Sequence, residues 1–512
     1  MLTDLRFPFF HKPTFLRRVS RGEYNTDRFF FASTMAACAL ASARARDGAV
    51  ISSRLKSADL KDPTSQVFHD AARAALPIDL ITEQQHDCLR AQALLALTAI
   101  QNGQIRIMHQ QLGRYHALVA MDGLHDENHW PSDIGVVETE ERRRIFWSMY
   151  TFDIYTAVVW NGVIRVREAH CNVRYPSELD DEYFDDSTYA TTSPDSAPVP
   201  APSPRGPAGP VRSDSWLCGW NFMTDLYRVM EHAVDNFRTR RARLHTRSFL
   251  NDIFGDMGKG QTSQASVLQS VMDMYTKLPQ RFKEIHPISF NAQDDCFGFQ
   301  AANITATVQL LRMVLFSDAG ASVADRCGIA NEVVEAFMNI PSGYLKAIST
   351  PLLHHLAGIG EILSRVYEEP LTEAEYLGVR PVLLSMSELL STLDTAYFAS
   401  KASDRLRDYV SRIDQYMDAR RHSFSNPQQD AQNINAILNH SNKSTTNSSV
   451  SGSVVLSPRE VTIPQHTRTE AASPPAANRP PQFQLPQDLV VDWPWVFDFA
   501  QAGEPNQQQP YC

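Results

Sequence analysis

The sequence predicts an all-α fold, a large helical array broken by a Pro/Ser-rich insertion and followed by a polar tail. Three observations carry that prediction. Almost no stretch alternates apolar and polar residues with the period of two that a half-buried strand needs, whereas apolar residues recur at helical spacing in both halves. In the first part proline and glycine, such as Pro63, Pro77, Gly103 and Gly123, stand between the periodic segments, where helices end. With 43% hydrophobic and 10% aromatic residues among 512, the chain has ample material for a large core.

In order, the N-terminal part, 1–186, carries helical patterns at 27–44, 64–76, 83–100 and 105–121, then a helix led by Arg142, Arg143 and Arg144. In that last helix Ile145, Met149, Phe152, Tyr155 and Val158 recur at helical spacing, and Phe146, Trp147, Tyr150, Ile154 and Val159 fill the flanks. A helix apolar on most sides belongs inside an array. Glu138, Glu140 and Glu141 suit the positive end of its dipole, and Glu138 stands four residues before Arg142, the spacing of a helical ion pair. Asp153 is a carboxylate amid apolar neighbours. Buried without a partner it would cost several kcal/mol, so a basic residue on the following arm, Arg165 or Arg167, is expected beside it.

Residues 187–213 change character, with seven prolines among Ser, Ala and Gly. Such a segment lacks the apolar surface to offset its ordering entropy and reads as a disordered loop between helices. Helical patterning resumes in 214–422, at 215–240, 263–278, 298–316, 324–338, 351–367, 372–398 and 406–422. The polar residues of 298–316, Asn303, Thr305, Thr307 and Gln309, lie around the helix and suit burial with internal hydrogen bonds. From 423 to the end the composition is that of a disordered tail. Its last part, 488–500, interleaves acids with bulky apolar residues: Asp492, Trp493, Trp495, Phe497, Asp498 and Phe499 have the pattern of an amphipathic activation segment, which folds when its aromatics dock in a partner's groove. The alternative is a tail that folds back on the helical body with the same aromatics.

A net charge of -10 argues against a chain whose main work is gripping a phosphate backbone. The seven cysteines are scattered, no two at C-x-x-C spacing, and read as buried thiols of an intracellular protein. No signal peptide and no run long enough to span a bilayer are visible, and no membrane partner is expected.

The residues Glu141-Arg142-Arg143-Arg144, Trp147, Tyr150, Asp153, Gly162 and Pro176 resemble the signature of the fungal-specific transcription factor domain, the helical middle homology region of zinc-cluster transcription factors. Two more stretches resemble that family in its order: Phe9 through Leu16, its entry motif, and 113–125, the helix before the arginine run. The resemblance is specific over about the first third of the chain and looser beyond. Ile154, Val163 and His170-Cys171 depart from it, where arginine, proline and acidic residues are usual. It implies a regulator of RNA polymerase II transcription, located in the nucleus, with the transcription machinery or a coactivator, a related transcription factor and a small-molecule effector as candidate partners. It also implies an N-terminal cluster of six cysteines holding two zinc ions, which this sequence does not contain. No cofactor is expected in the chain itself, zinc entering only with an upstream cluster. DNA contact is therefore expected to be indirect, through a missing zinc cluster or a partner. The alternative is a DNA-independent cofactor or inhibitor that binds a related factor.

Several patterns invite other chemistry. The stretch 255–262 has phosphate-loop glycine spacing, but Gln261 stands where the lysine belongs and no strand precedes it. His125 and His129 lack the glutamate directly after the first histidine that a zinc protease needs, and read as a surface turn. The run Asp180 to Asp186 is similar to the magnesium-binding acids of helical terpenoid enzymes, but those must project into a cavity. Here the run abuts the Pro-rich segment and reads as a solvated acidic end; it alone supports the remote alternative of an all-α enzyme. Arg238, Arg240, Arg241 and Arg243 form the densest basic cluster, a candidate nuclear-import patch or a solvated helix end. No nucleophile motif accompanies the serines and histidines, so no catalytic or metal residue is assigned and no enzyme is expected. The arginine run itself reads as anchors at the polar edge of the core, pairing with Glu138, Asp153 or the acidic run.

Overall fold

Local sequence chemistry sets the helix starts. Asp27 accepts hydrogen bonds from the backbone N–H of Phe29 (2.9 Å) and Phe30 (3.0 Å), satisfying two of the orphan donors of the helix that follows. Thr372 and Glu375 form a reciprocal capping box at another. Pro13 stands in the first turn of the N-terminal helix, where its missing N–H has no cost. The computed structural model describes residues 8–49, 64–79, 86–160, 162–186, 215–245, 264–316, 323–348, 372–393 and 399–425. Among them are thirteen α-helices and no strand: α1 Lys12–Ser20, α2 Arg28–Arg46, α3 Ser65–Ala75, α4 His86–Gln101, α5 Ile105–Met121, α6 Val136–Trp160, α7 Trp216–His245, α8 Gln264–Thr276, α9 Ala292–Phe316, α10 Val323–Met338, α11 Ser342–Ile348, α12 Glu373–Thr392 and α13 Ala399–Ser425. The fold is all-α, as expected. The proposed helix at 351–367, the inserted loop 187–213 and the activation segment 488–500 lie outside the described residues.

The chain divides into two units, Met1–Val410 with Pro494–Cys512, and Ser411–Trp493. Within the first, α2 packs on α3 and α4, α4 on α5 and α6, α6 on α7, and α7 on α9; α8, α10 and α11 gather on α9, and α12 on α10. Ala32, Ala36, Ala39 and Ala43 of α2 and Ala91, Ala93, Ala96 and Ala99 of α4 are wholly buried, small side chains that let these two helices approach closely. In α6 the apolar positions on nearly every side are buried, including Ile145, Phe146, Trp147, Met149, Phe152, Ile154 and Val158. This helix sits inside the array, joining α4 on one side to α7 on the other.

Two helices were not read from the sequence, and one boundary is corrected. Lys12–Ser20, quoted only as a motif, is helical, and the seven-residue helix Ser342–Ile348 is too short for its period to show. The helix read from Gly298 begins at Ala292. Gly298 is inside it because the Tyr344 hydroxyl presses on the backbone there: a Cβ at Gly298 would stand 2.5 Å from Tyr344 Oη. A glycine taken for a helix boundary is thus a site of close packing.

Candidate functional site

The residues singled out on α6 and the arm after it converge on one network of buried charge. Its first member is Glu141 at the start of α6. Oε1 accepts from the backbone N–H of His11 (2.6 Å) and Oε2 from Arg90 (2.7 Å) on α4. Arg90 in turn donates through Nε to the Phe9 carbonyl (2.8 Å), pairs with Asp87, and lies over the Phe10 ring. The entry motif is therefore tied to α6 through one carboxylate and to α4 through one guanidinium.

The three arginines point to separate partners, four carboxylates in all. Arg142 pairs with Glu138 (2.7 Å) one turn earlier and lies over the Trp130 ring, near the surface. Arg143 is buried. Its Nε and Nη2 fork onto Glu127 (2.8 and 3.0 Å) and its Nη1 reaches Glu140 (2.8 Å). Glu127 also accepts from the backbone and side chain of Arg174 (2.8 and 2.9 Å), and Glu140 from the backbone N–H of Ser177 (2.8 Å), so one α6 arginine fixes both the turn before α6 and the arm after it. Burial alone would push the Glu127 carboxyl up; Arg143 and Arg174 hold it below the usual range. Arg144, fully buried, donates to Asp181 (2.7 Å) and faces the Phe184 ring. Asp181 also accepts from Lys12 N (2.8 Å), and its carbonyl meets His11 Nε2 at 2.7 Å, which closes the network back on the entry motif.

Further along α6, Asp153 is fully buried and is answered as expected by Arg165, whose Nη1 (2.7 Å) and backbone N–H (2.6 Å) both donate to it. Burial would raise this carboxyl; His116, with Nε2 at 3.6 Å, and Arg165 hold it below its ordinary value. The other arm arginine, Arg167, pairs instead with Asp235 and Glu231 of α7. Trp147 donates from Nε1 to the Arg174 carbonyl (3.0 Å) and meets Tyr150 and Tyr175 edge-on. Tyr150 donates to Glu231 (2.5 Å), the bolt between α6 and α7. Glu168 of the arm takes Arg228 and lies near His232, both on α7. His232 and then Arg228 pull Glu168 down to about 2 against its burial, while Glu168 raises the His232 imidazole.

Gly162 and Pro176 mark the two ends of the arm. A Cβ at Gly162 would press within 3.3 Å of the Thr156 carbonyl at the end of α6, which is why the chain turns on glycine there. The Pro176 carbonyl accepts from Asn221 of α7 (3.2 Å). Arg238, read as part of an import patch, donates to the carbonyls of Ala157 (3.2 Å) and Gly162 (2.8 Å); burial, then neighbouring Arg167, lowers its pKa. It closes the C-terminal end of α6, and Arg240, Arg241 and Arg243 continue the same helix α7.

The acidic run is only partly a solvated end. Glu182 and Asp185 are exposed, but Asp180 accepts from Ser215 (2.5 Å), Asp181 holds Arg144, and Asp186 accepts from Val137 N (3.2 Å) at the positive end of α6. The reason is the helix start itself: orphan N–H groups and a buried guanidinium draw the carboxylates inward. At the turn 125–129 the Glu127 carboxylate is occupied by two arginines, and the two histidine rings lie 6.3 Å apart. Among the described residues no group of three or more His, Cys, Asp or Glu is placed to hold a metal ion, and no helix is long and apolar enough to cross a membrane. Cys88, Cys218, Cys296 and Cys327 are buried; Cys38 and Cys171 are half-buried.

Near the Tyr150–Glu231 bolt, α6, α7 and α9 leave only a small crease of about 20 Å³, room for a water, lined by Thr151, Phe152, Tyr155, Trp220, Met223, Thr224, Tyr227 and Asn303. The Thr151 and Thr224 hydroxyls turn back onto the carbonyls of Ser148 and Trp220. Sequence reasoning foresaw the Glu138–Arg142 and Asp153–Arg165 pairs. It also expected the arginine run to meet the acidic run, as Arg144 meets Asp181, but it missed Glu127, Glu168, Arg228 and Glu231, whose partners stand 16 to 81 residues away and leave no local spacing to read.

The comparisons with known proteins agree with the motifs on which this network is built. No curated protein and no solved structure matches the chain. The family model described as fungal specific transcription factor domain matches residues 4–286, so the likeness runs well past the first third, through the arm and α7 to the loop before α9. The chain belongs to the fungal-specific transcription factor domain family.

Proposed function

We propose that this chain regulates RNA polymerase II transcription in the nucleus, with its helical body as the receiving element and the segment 488–500 as the output. The observation that carries this reading is the internal commitment of the arginine run. Arg143 and Arg144 are buried against Glu127, Glu140 and Asp181, so they are withheld from phosphate. DNA contact then falls to a zinc cluster or to a partner factor. An effector would act at the crease between α6, α7 and α9, which must open to admit one, because its walls include the two helices that the Tyr150–Glu231 bolt joins. An effector that binds better when those helices are parted shifts the body toward that state, and with it the access of partners to the output segment.

The test is a reporter assay with the chain fused to a heterologous DNA-binding domain. Alanine at Trp493, Trp495, Phe497 and Phe499 should abolish activation, and unchanged activity would overturn the activation reading. The second reading, a DNA-independent cofactor or inhibitor of a related factor, is favoured by the same internal arginines and by the net charge of -10. A gel shift with the purified chain, alone and with a zinc-cluster factor, separates the two: a supershift without intrinsic binding and without activation in the fusion supports the cofactor.

A further inference from the structure

The end of α1 carries a pattern that the charge network touches only through Arg18. Residues 17–20 read Arg17-Arg18-Val19-Ser20, two arginines placed three and two residues before a serine. Protein kinases whose substrate cleft is lined with carboxylates read paired guanidiniums at this spacing, through charge-assisted and often bidentate contacts. Ser20 is exposed, is the last residue of α1, and donates its hydroxyl to the Arg17 carbonyl (2.8 Å). Arg17 and Arg21 on either side are also exposed.

Such a kinase binds its substrate extended, so the last turn of α1 must open. The structure makes that opening cheap on one side and costly on the other. No residue of this nine-residue helix is buried, and Gly22, at φ 70, breaks the chain immediately beyond it. Arg18, however, is held by Glu23 (2.9 Å), Asp27 (3.1 Å) and Asp87 (2.9 Å) and lies over the Phe30 ring. Releasing it exchanges three carboxylates of this chain for those of the kinase.

We propose that Ser20 is the acceptor of an arginine-directed protein kinase. In the reaction Ser20 Oγ attacks the γ-phosphorus of magnesium ATP; the new O–P bond forms as the bond to the β-phosphate oxygen breaks, ADP leaves, and the hydroxyl proton passes to the kinase's base. The added phosphate keeps α1 from re-docking. It places nearly two negative charges at the negative end of the helix, removes the hydroxyl that capped the Arg17 carbonyl, and competes with Glu23 and Asp27 for Arg18. The consequence travels along the sequence, because α1 follows directly on His11, whose backbone N–H and ring are the contacts of Glu141 and Asp181.

The full-length chain is incubated with magnesium ATP and the catalytic subunit of a kinase selective for paired arginines, and the phosphate is located by peptide mapping. Ser20 should be labelled in the folded protein, at least tenfold more slowly in an Arg17→Gln variant, and not in Ser20→Ala. The same spacing recurs at Arg420-Arg421-His422-Ser423, which serves as the internal control. Labelling of Ser423 without Ser20, or labelling of Ser20 only after urea unfolding, overturns the site. Amide exchange across residues 12–20 should accelerate at least tenfold in the phosphorylated chain; unchanged exchange overturns the undocking, while leaving the acceptor assignment to the mapping.

Discussion

Replacing Arg143 by alanine is the sharpest probe of the arginine run, because its neighbour Arg142 supplies the control. The Arg143 and Glu140 side chains are 4% and 1% exposed, whereas those of Arg142 and Glu138 are 11% and 37% exposed. Removing Arg143 leaves Glu140 buried with the Ser177 N–H, and leaves Glu127 with Arg174. Breaking one partner out of a buried pair costs roughly 3 to 5 kcal/mol, mostly as the desolvation of the carboxylate left behind. The surface-leaning pair of Arg142 is worth about 0 to 1 kcal/mol. Domain stability is of the order of 5 to 15 kcal/mol, so Arg143→Ala should approach the loss of the fold and Arg142→Ala should be nearly silent. Urea titrations followed by far-ultraviolet circular dichroism measure both. Replacing Arg143 by Met together with Glu140 by Gln should recover part of the loss, since no unpaired buried charge remains. If Arg143→Ala melts like the wild type while DNA or partner binding disappears, the arginine is a binding residue and the structural reasoning is refuted.

Asp153→Asn should lower stability by roughly 1.5 to 3 kcal/mol, the worth of hydrogen bonds to a charged group. Because the Asp153 carboxyl is held below its ordinary value of 3.8, its contribution is present above that pH and is lost as the pH falls through the folded value; the gap between variant and wild type in urea titrations should therefore close in acid. The Glu168–His232 contact should show an optimum. The Glu168 share is full above 4.5 and lost toward 2, and the His232 share is full below 6.5 and lost as the pH rises through its elevated value, so exchange protection of 163–171 should peak between 4.5 and 6.5 and vanish from that profile in His232→Ala. Gly298→Ala should cost about 1 to 3 kcal/mol through the clash with Tyr344. Adding Tyr344→Phe should restore part of it, a non-additivity that thermal melts of the single and double variants would reveal.

What the sequence made legible follows the range of each interaction. Helices of sixteen residues or more announce themselves by period, so α2, α4 and α5 are found within a few residues of where they lie, and Ile105–Met121 is found at both ends. The Glu138–Arg142 pair is legible because helix geometry alone places those side chains together. Asp153 was legible as a demand for a partner, and the arm was short enough to narrow the supplier to Arg165 or Arg167. Arg143 was not: Glu127 reaches it across the turn before α6, and nothing in the spacing prefers that pairing to one with the acidic run. Arg238 shows the opposite error. Its basic neighbours suggested a solvated patch, but the last turn of α6 has carbonyls without helical donors, and a long cation on the adjacent helix supplies them.

The arrangement of these ion pairs bears on how the arm can move. Glu140 and Arg144 of α6 hold the chain just past the arm at Ser177 and Asp181, Asp153 ties α6 to the arm near Gly162, and Glu168 and Arg167 carry the arm onto α7, which Tyr150 already bolts to α6. The arm is thus a strap fastened at its start, middle and end to two helices that also line the crease. A wedge that parts α6 from α7 must break Tyr150–Glu231 and drag the strap with one helix or the other; it cannot be absorbed by a loose loop. Buried ion pairs resist partial displacement, since a charge withdrawn from its partner faces low dielectric before it reaches water. The strap therefore resists small displacements and moves with α6 or with α7 as a unit.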